Sequence, residues 1–193
     1  MTDLQGTKTQ MNLIKAFAGE SMARNRYTYY SKIAKEEGYE QIAAIFLETA
    51  DNERVHAKRF FKFLGCENTP LKIDDAIYPI GISNTEKNLE YSIEGEHEEN
   101  TILYPGFSKI AKEEGFDEIA KCFIEIVESE IGHEKRYIAL LENIKEDKVF
   151  KKDKKVLWKC RKCGYLYSDT DAPKICPACL HPKAYFELYC QNY

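Results

Sequence analysis

Apolar residues recur at helical spacing along most of the first 145 residues. The first such stretch includes Leu13 and Phe17, and the second includes Ile42 and Phe46. A period of about 3.6 residues is typical of helices that bury one face. Gly38 lies between the two stretches, directly after two glutamates, where a glycine favours the end of a helix. The pattern therefore predicts a hairpin of two helices.

This hairpin occurs twice in the sequence. The string SKIAKEEG occurs at Ser31–Gly38 and again at Ser108–Gly115, and the alignment of Tyr27–Leu64 with Tyr104–Leu141 gives 18 identities in 38 positions without a gap. Two helical hairpins predict an antiparallel four-helix bundle. Residues 65–85, which contain prolines and a glycine, are predicted as the long crossover between the hairpins.

One position conflicts with the predicted third helix. Pro105 and Gly106 stand inside it, and a proline removes a backbone hydrogen bond from a helix. Their counterparts in the first repeat are Thr28 and Tyr29, so the repeat itself does not require a distortion. We therefore expect a bend at Pro105.

Two Glu-x-x-His pairs interrupt the apolar stripes. Glu53 and His56 in the second helix align with Glu130 and His133 in the fourth. Side chains three residues apart are neighbours on a helix surface. One such pair alone is more often an exposed pair, but the repeat places both pairs in the middle of core-facing helices. A buried carboxylate needs a partner or a metal there, and we predict that the pairs meet at a metal site.

The other two helices supply further carboxylates. Glu20 in the first helix aligns with Glu96 in the third, and Glu99 lies three residues further along the same face. Two Glu-x-x-His helices with a Glu from each of the other two form a dinuclear site in helix bundles. Oxygen-rich ligation with one imidazole per metal favours iron or manganese over zinc. The predicted ligands are Glu20, Glu53, His56, Glu96, Glu99, Glu130 and His133.

Three further side chains stand close to these ligands. Tyr27 and Tyr104 are repeat partners on the same two helices as Glu20 and Glu96. They are either ordinary core aromatics or hydrogen-bond donors to the ligand carboxylates, since a buried phenol needs a partner. His97 follows Glu96, but its helical phase points away from the site, and we expect it on the surface.

The composition changes after residue 145, and we divide the chain into residues 1–145, a charged linker at 146–155 and a small domain at 156–193. The small domain contains a pair of C-x2-C motifs twelve residues apart, which predicts one tetrahedral site with four sulfur ligands for iron or zinc. Spacing alone would favour zinc. The strings CRKCGY and CPAC resemble the two metal-binding turns of rubredoxin, which favours iron. The four predicted ligands are Cys160, Cys163, Cys176 and Cys179, and the remaining thiols, expected to be buried or incidental, are Cys66, Cys122 and Cys190.

Charge divides the chain in the same way. Residues 1–145 carry 26 acidic and 18 basic residues, a net charge of −8, whereas residues 146–193 carry 6 and 10, a net charge of +4. An acidic main domain argues against a nucleic-acid partner. No apolar run approaches the ~20 residues of a membrane span, so we expect no membrane association. The start of the chain has no apolar run of the signal-peptide type, and we expect a cytoplasmic protein.

The whole chain resembles the rubrerythrins. The resemblance rests on AFAGES with Glu20, on ERVH, GEHEE and EIGH in the later helices, and on CRKCGY, CPAC and HPKA near the end. It implies a ferritin-like four-helix bundle, all-α and built from a duplicated helical hairpin, followed by a small rubredoxin-like metal-binding β domain. Two departures from free rubredoxins are Leu180, where a glycine often follows the last cysteine, and the short gap between the cysteine pairs.

The resemblance also implies a function, that of a non-haem di-iron peroxidase reducing hydrogen peroxide to water. The four-cysteine iron would relay single electrons, giving three irons per chain, with zinc able to substitute. The donor would be rubredoxin or an NAD(P)H-dependent reductase. A head-to-tail homodimer would bring one chain's cysteine site near the partner's di-iron site. By the same resemblance the terminal ligands would be Glu20 and Glu96, and the bridging ligands would be Glu53 and Glu130. One iron would exchange its ligand His56 for Glu99 as it is oxidised.

Two other functions share features of this pattern. A ferroxidase or iron-handling protein would use the same bundle and would accumulate iron beyond three ions per chain. A binding module would instead carry zinc in its cysteine domain and use that domain to dock a partner or nucleic acid. The additional carboxylate Glu99 and the attached four-cysteine domain favour the peroxidase.

Overall fold

Two helical hairpins build the N-terminal domain of the protein, as the repeat predicts. The structure is a computed structural model that describes residues 3–65 and 70–192. α1 (Lys8–Glu36) and α2 (Glu40–Phe63) form the first hairpin. Gly38 connects them with a φ of +86°, a left-handed conformation that glycine adopts without steric cost.

The second hairpin contains an interrupted helix. α3 (Thr85–Glu98) continues into a π-helical segment, Glu99–Leu103, which leads directly into α4 (Tyr104–Glu113). α5 (Asp117–Lys145) packs against both α3 and α4, while α1 packs against α2. The four-helix bundle predicted from the repeat is therefore confirmed. Among the helices of the described residues, none is long and apolar enough to cross a membrane.

Apolar residues fill the bundle in two layers with a polar layer between them. On α1 one apolar cluster includes Ala16 and the other begins at Ala23, so that Glu20 lies between the two. On α5 the flanking cluster members are Val127 and Tyr137. The chain therefore holds its buried glutamates and histidines halfway along the bundle, with packed side chains above and below them.

The crossover runs over the α1–α3 face of the bundle. Within the described segment of the predicted crossover, residues 70–84 contain no helix or strand. The hydroxyl of Tyr78 donates to the carbonyl oxygen of Lys15 at 3.0 Å, and the hydroxyl of Tyr30 donates to that of Gly81 at 2.7 Å. These bonds attach the crossover to α1. Cys66, predicted to be a buried or incidental thiol, lies outside the described residues.

The cysteine domain is built on a small antiparallel sheet with the strand order β2–β1–β3. β1 (Lys151–Cys160) pairs with β2 (Leu166–Asp171) on one side and with β3 (Phe186–Leu188) on the other. Trp158 is completely buried in its core. This confirms the predicted small β domain with its four cysteines.

The predicted linker at 146–155 differs from the structure in its second half. Residues 151–155 begin β1, and Lys151 pairs with Asp171 before an irregularity in register that precedes Val156. The charged side chains are mostly exposed, but their backbone lies in a strand. A run of lysines shows that side chains are solvated, and it carries no information on whether the backbone is paired.

The cysteine domain rests on the turn between α1 and α2. The rings of Tyr39 and Phe150 stack with centroids 6.2 Å apart. A side chain at Gly38 would meet the Cβ atom of Ala184 at 3.7 Å, so the two domains approach closely at the hairpin turn. The cysteine domain is therefore held at the end of the bundle.

Candidate metal centres

The structure brings six of the seven predicted bundle ligands together in the polar layer. They form two overlapping groups of four, and within each group one candidate ligand atom per residue lies within 4.8 Å of the others. Glu53 and Glu130 belong to both groups, which is the arrangement expected of carboxylates shared by two cations. Each group adds one histidine and one glutamate of its own. The first group adds Glu20 and His56, and the second adds Glu96 and His133.

Both imidazoles point a nitrogen at several carboxylates at once. Nδ1 of His56 lies 3.0 Å from an oxygen of Glu53 and 3.0 Å from an oxygen of Glu130. Nδ1 of His133 lies 2.8 Å from Glu130, 3.2 Å from Glu53 and 3.3 Å from Glu96. One nitrogen cannot serve so many acceptors well by hydrogen bonding, whereas ligands crowd around a cation in this way.

Several buried atoms of the cluster have no hydrogen-bond partner. An unpaired buried polar atom is costly, and native proteins rarely keep several together. Two divalent cations would satisfy these atoms, and the four carboxylates of the two groups would balance their charge. The donor set therefore fits a pair of transition-metal ions. The unpaired atoms are Oε2 of Glu20, Oε1 of Glu53, Oε2 of Glu96, both carboxylate oxygens of Glu130 and Nδ1 of His133.

Burial raises the pKa of three of the carboxyl groups. Burial and then repulsion from Glu53 raise the pKa of Glu96 to about 8. Burial followed by repulsion from Glu53 and Glu130 raises the pKa of Glu20 well above its ordinary value. The pKa of Glu99 is raised in the same way, by burial and then by Glu96. Without cations these groups therefore hold protons, which metal binding must displace.

The two histidines lower the pKa of Glu53, in contrast to the raised pKa values of the other three carboxyl groups. Burial opposes its ionisation, but contacts with His133 and His56 outweigh burial and lower the pKa of Glu53 to about 2. Burial also lowers the pKa of an imidazole, yet contacts with Glu130 and Glu53 raise the pKa of His56 to about 9 and that of His133 to about 12. The two imidazoles thus favour the ionised form of Glu53 when no metal is bound.

Two tyrosines form hydrogen bonds with Glu20 and Glu96, the two glutamates that belong to only one group each. The hydroxyl of Tyr27 donates to Oε1 of Glu96 at 2.6 Å, and that of Tyr104 donates to Oε1 of Glu20 at 2.5 Å. The other oxygen of each carboxylate, Oε2, is one of the unpaired atoms. Each phenol therefore fixes one oxygen and leaves the other facing the centre of the cluster.

Asn52 also supports the cluster, and sequence reasoning missed it. Its Oδ1 lies 3.2 Å from Nε2 of His133 and can accept a hydrogen bond that turns Nδ1 towards the carboxylates. The available signal was an asymmetry in the repeat, where Asn52 aligns with Ser129. His97, expected on the surface, has a side chain that is 61% exposed and lies 2.9 Å from Glu134.

Glu99 stands apart from both groups of four. Its carboxylate forms no hydrogen bond or ion pair with any residue in the described ranges, and it borders a cavity between α1 and α3. Glu99 is also the first residue of the π segment. The structure thus places this predicted ligand beside the cluster, not within it.

The π segment explains an irregularity in the repeat. Glu20 aligns with Glu96 at an offset of 76, whereas Tyr27 aligns with Tyr104 at an offset of 77. The one extra residue is accommodated by the wider turn of a π-helix, a feature often found at functional sites. The bend expected at Pro105 is accordingly a widened turn that precedes the proline. Pro105 is the second residue of α4 and lies in its first turn, where its missing N–H costs little.

The four cysteines form the second candidate centre. Their sulfur atoms lie within 4.8 Å of one another, with Cys160 and Cys179 3.8 Å apart and Cys163 and Cys176 3.7 Å apart. A tetrahedron with metal–sulfur bonds of about 2.3 Å has edges of about 3.8 Å, so the spacing fits one metal ion. Cys122 and Cys190 belong to no such group within the described residues.

Each cysteine pair ends in a turn of the same design. The N–H of Gly164 donates to the carbonyl oxygen of Cys160 at 2.8 Å, and that of Leu180 donates to Cys176 at 2.9 Å. Gly164 has a φ of +78° and Leu180 a φ of +61°. Leu180 therefore adopts a left-handed conformation that is unfavourable for a leucine.

Comparisons with known proteins agree with this architecture. Residues 11–141 match the family model Rubrerythrin, and residues 158–187 match Rubrerythrin, rubredoxin-like domain. Rubrerythrin-1 of Clostridium acetobutylicum is 58% identical over 195 residues, which cover 100% of both chains.

Solved structures show the same fold. Nigerythrin in a mixed-valent state superposes with a TM-score of 0.62 at 30% identity, covering 96% of this chain and 91% of that one. A bacterioferritin of Desulfovibrio desulfuricans, whose di-iron site was studied in several catalytic states, superposes with a TM-score of 0.61 at 27% identity, covering 73% and 82%. The bundle cluster is a di-iron carboxylate site and the four cysteines are a rubredoxin-like site. The chain belongs to the rubrerythrin family.

Proposed function

We propose that the protein is a non-haem di-iron peroxidase that reduces hydrogen peroxide to water in the defence against oxidative stress. One observation carries the proposal: the chain combines a buried cluster that shares Glu53 and Glu130 with a separate four-sulfur site. Conversion of one peroxide into two waters needs two electrons and two protons. The irons, when bound, supply the electrons and act as Lewis acids.

The residues of the cluster divide into roles by their contacts. Glu53 and Glu130, which belong to both groups, would bridge the two cations. Glu20 and Glu96 would be terminal ligands through Oε2, since a tyrosine occupies Oε1 of each. His56 and His133 would supply one nitrogen to each cation.

Glu99 would be the carboxylate that exchanges with His56. Two features support this role. Glu99 has no hydrogen bond that would hold it in place, and Nε2 of His56 likewise has no hydrogen bond to a described residue, whereas His133 is held by Asn52. The exchange would therefore involve His56 and not His133, because only His133 is held at Nε2.

The four-cysteine site would pass single electrons to the bundle. It rests on the turn at Gly38, and this glycine lies 18 residues beyond Glu20 on α1. At about 1.5 Å per residue this corresponds to about 27 Å along the helix. Such a distance favours transfer between subunits, in a head-to-tail homodimer that brings the cysteine site of one chain to the cluster of the partner.

The electrons would come from outside the chain. The sequence has no glycine-rich dinucleotide fingerprint, so the donor would be rubredoxin or an NAD(P)H-dependent reductase in the cytoplasm. Each chain would hold three irons, and zinc could replace iron at the four cysteines because both metals accept tetrahedral sulfur ligation.

A second function, ferroxidase or iron handling, is favoured by the similarity of the bundle to bacterioferritin. The two functions differ in what happens to iron. The peroxidase is expected to consume peroxide catalytically while its iron content stays at about three ions per chain. Iron analysis before and after repeated additions of ferrous iron, together with peroxide consumption measured with an external electron donor and no free ferrous iron, distinguishes them. Progressive accumulation of iron without catalytic loss of peroxide would favour iron handling.

A further inference from the structure

A cavity with a volume of about 180 Å³ lies between α1, α3 and the crossover. It has room for several molecules of the size of water. Two glycines, Gly19 on α1 and Gly95 on α3, line it where other residues would place side chains. Tyr78 from the crossover lines it as well.

None of the six grouped ligands lines the cavity, but its inner end is bordered by two side chains that stand next to the cluster. Two of its lining residues are Glu99 and Tyr104. Tyr104 donates its hydrogen bond to Glu20, and Glu99 is the predicted ligand without a partner among the described residues. A small molecule in the cavity would therefore meet a carboxylate and a phenol that belong to the site.

The outer end is covered by residues 75–81, which we name the strap. Nζ of Lys15 donates to the carbonyl oxygen of Asp75 at 3.1 Å, and the carbonyl oxygen of Lys15 accepts from Tyr78 at 3.0 Å. Tyr30 holds the far end of the strap at Gly81. The strap is thus fixed to one helix, with the ring of Tyr78 over the cavity.

The close approach of Gly19 to the strap indicates a narrow point between them. A Cβ atom added at Gly19 would lie 3.7 Å from the ring of Tyr78 and 4.0 Å from Oε1 of Glu99. These are ordinary van der Waals contacts, so a small side chain fits without displacing its neighbours. A larger one would fill the space between the strap and Glu99.

We propose that this cavity is the route by which hydrogen peroxide reaches the cluster, and that Gly19 and Tyr78 set the largest peroxide that it admits. The inference rests on the proposed function for the identity of the substrate. The geometry of the route does not depend on it. A slim, neutral peroxide passes the narrow point, whereas an alkyl hydroperoxide meets the ring of Tyr78.

The first test measures access without turnover. Azide is mixed with the oxidised, iron-loaded full-length protein, and its binding is followed by visible absorption. Gly19→Leu is expected to slow azide binding by about tenfold or more, the effect of a barrier raised by about 1.4 kcal/mol. The matched control is Gly132→Leu, on the exposed side of α5, where an added Cβ atom meets nothing within 4 Å. Its rate is expected to equal that of the wild type.

A wild-type azide rate in iron-loaded Gly19→Leu would overturn the route. If Gly19→Leu fails to fold or to load iron, Gly19→Ala takes its place, with a smaller slowing expected in the same direction. An unchanged rate in that variant would overturn the route equally.

The second test measures size selection. Tyr78→Ala removes the ring over the cavity and is expected to raise the rate with tert-butyl hydroperoxide relative to hydrogen peroxide by about tenfold. An unchanged ratio would overturn the role of Tyr78. If the wild type binds azide but reduces no peroxide, the proposed function fails, and slowed azide binding in Gly19→Leu would still support the route.

Discussion

The hydroxyl of Tyr27 donates a 2.6 Å hydrogen bond to Oε1 of Glu96, and Oε2 of the same carboxylate is buried without a hydrogen bond among the described residues. Tyr104 and Glu20 repeat this relationship on the opposite side of the cluster. The duplicated hairpin has therefore duplicated the support of the ligand together with the ligand. Each phenol orients a carboxylate for a cation and prevents it from rotating away.

Replacement of Tyr27 by phenylalanine is expected to weaken the site without unfolding the bundle. The ring and its packing remain, but Oε1 of Glu96 loses its donor. Loss of such a supporting group typically lowers metal affinity or activity by about 10- to 100-fold. Competition with a chelator measures the affinity for iron. Tyr137→Phe is the control, because Tyr137 is equally buried but does not donate to a cluster carboxylate; equal loss in both variants would contradict the role of Tyr27.

Glu99→Ala is expected to keep iron but to slow peroxide turnover by about tenfold or more. Glu99 lies outside both groups of four, so the remaining six ligands still form the site. Iron content and the rate of peroxide consumption are measured on the same sample. Glu94→Ala, which removes an exposed carboxylate from α3, should match the wild type in both. A wild-type rate in Glu99→Ala would remove Glu99 from the mechanism.

Removal of the metal is expected to make stability depend on pH in a defined direction. Glu20, Glu96 and Glu99 have raised pKa values in the folded protein, so the folded state holds protons that the unfolded chain releases. The stabilisation they contribute is present below the ordinary carboxyl pKa and is lost as the pH rises, for Glu96 through about 8. The raised pKa of His56 changes stability in the same direction, because the stabilisation from its protonated imidazole is lost as the pH rises through about 9.

Urea unfolding of the metal-free protein tests this expectation. The urea concentration at the unfolding midpoint should decrease as the pH is raised from about 5.5 to about 8.5. The midpoint of the iron-loaded protein should change less, because cations replace the protons. Glu53 acts in the opposite sense, since its pKa is lowered to about 2 and its contribution is lost only in acid. A midpoint of the metal-free protein that rises over the neutral range would contradict the assignment.

Leu180→Gly is expected to stabilise the cysteine domain. Leu180 has a φ of +61° and is 78% exposed, so glycine relieves backbone strain and loses little apolar burial. The expected gain is up to about 1 kcal/mol, since a left-handed conformation costs a residue with a side chain about 1–2 kcal/mol and glycine loses more entropy on folding. The colour of the ferric thiolate site during guanidinium unfolding reports the change.

The matched variant Gly164→Ala should have the opposite effect. Gly164 occupies the equivalent turn with a φ of +78°, and an added Cβ atom would meet nothing within 4 Å. Any loss of stability therefore comes from the backbone conformation alone. Equal midpoints for Leu180→Gly, Gly164→Ala and the wild type would show that the two turns carry no such strain.

Much of the cluster could be predicted from sequence because the repeat supplies geometry. A single Glu-x-x-His says little, but the alignment of Glu53 with Glu130 and of His56 with His133 places both pairs at the same depth of the bundle. Because both pairs are buried, their carboxylates need a charged partner or a metal. The structure adds the geometry in which Glu53 and Glu130 are shared between two groups, which the residue pattern alone does not contain and which only the family resemblance implied.

The position of Glu99 could not be predicted because it depends on a local change of helix type. The phase of a regular helix places Glu99 on the same face as Glu96, but the π segment begins at this residue. The difference between offsets of 76 and 77 marks the extra residue without showing which turn contains it. The strand at residues 151–155 escaped prediction for a different reason, since charge reports solvation and not backbone pairing.

The measurement that tests the central claim most directly is a stopped-flow reaction of the anaerobically reduced, iron-loaded protein with one equivalent of hydrogen peroxide. The proposed function predicts rapid loss of peroxide and the appearance of ferric thiolate colour at the four-cysteine site, as electrons move from that site to the bundle. Persistence of peroxide in a protein that stays colourless would contradict the assignment of a peroxidase fed by the cysteine domain.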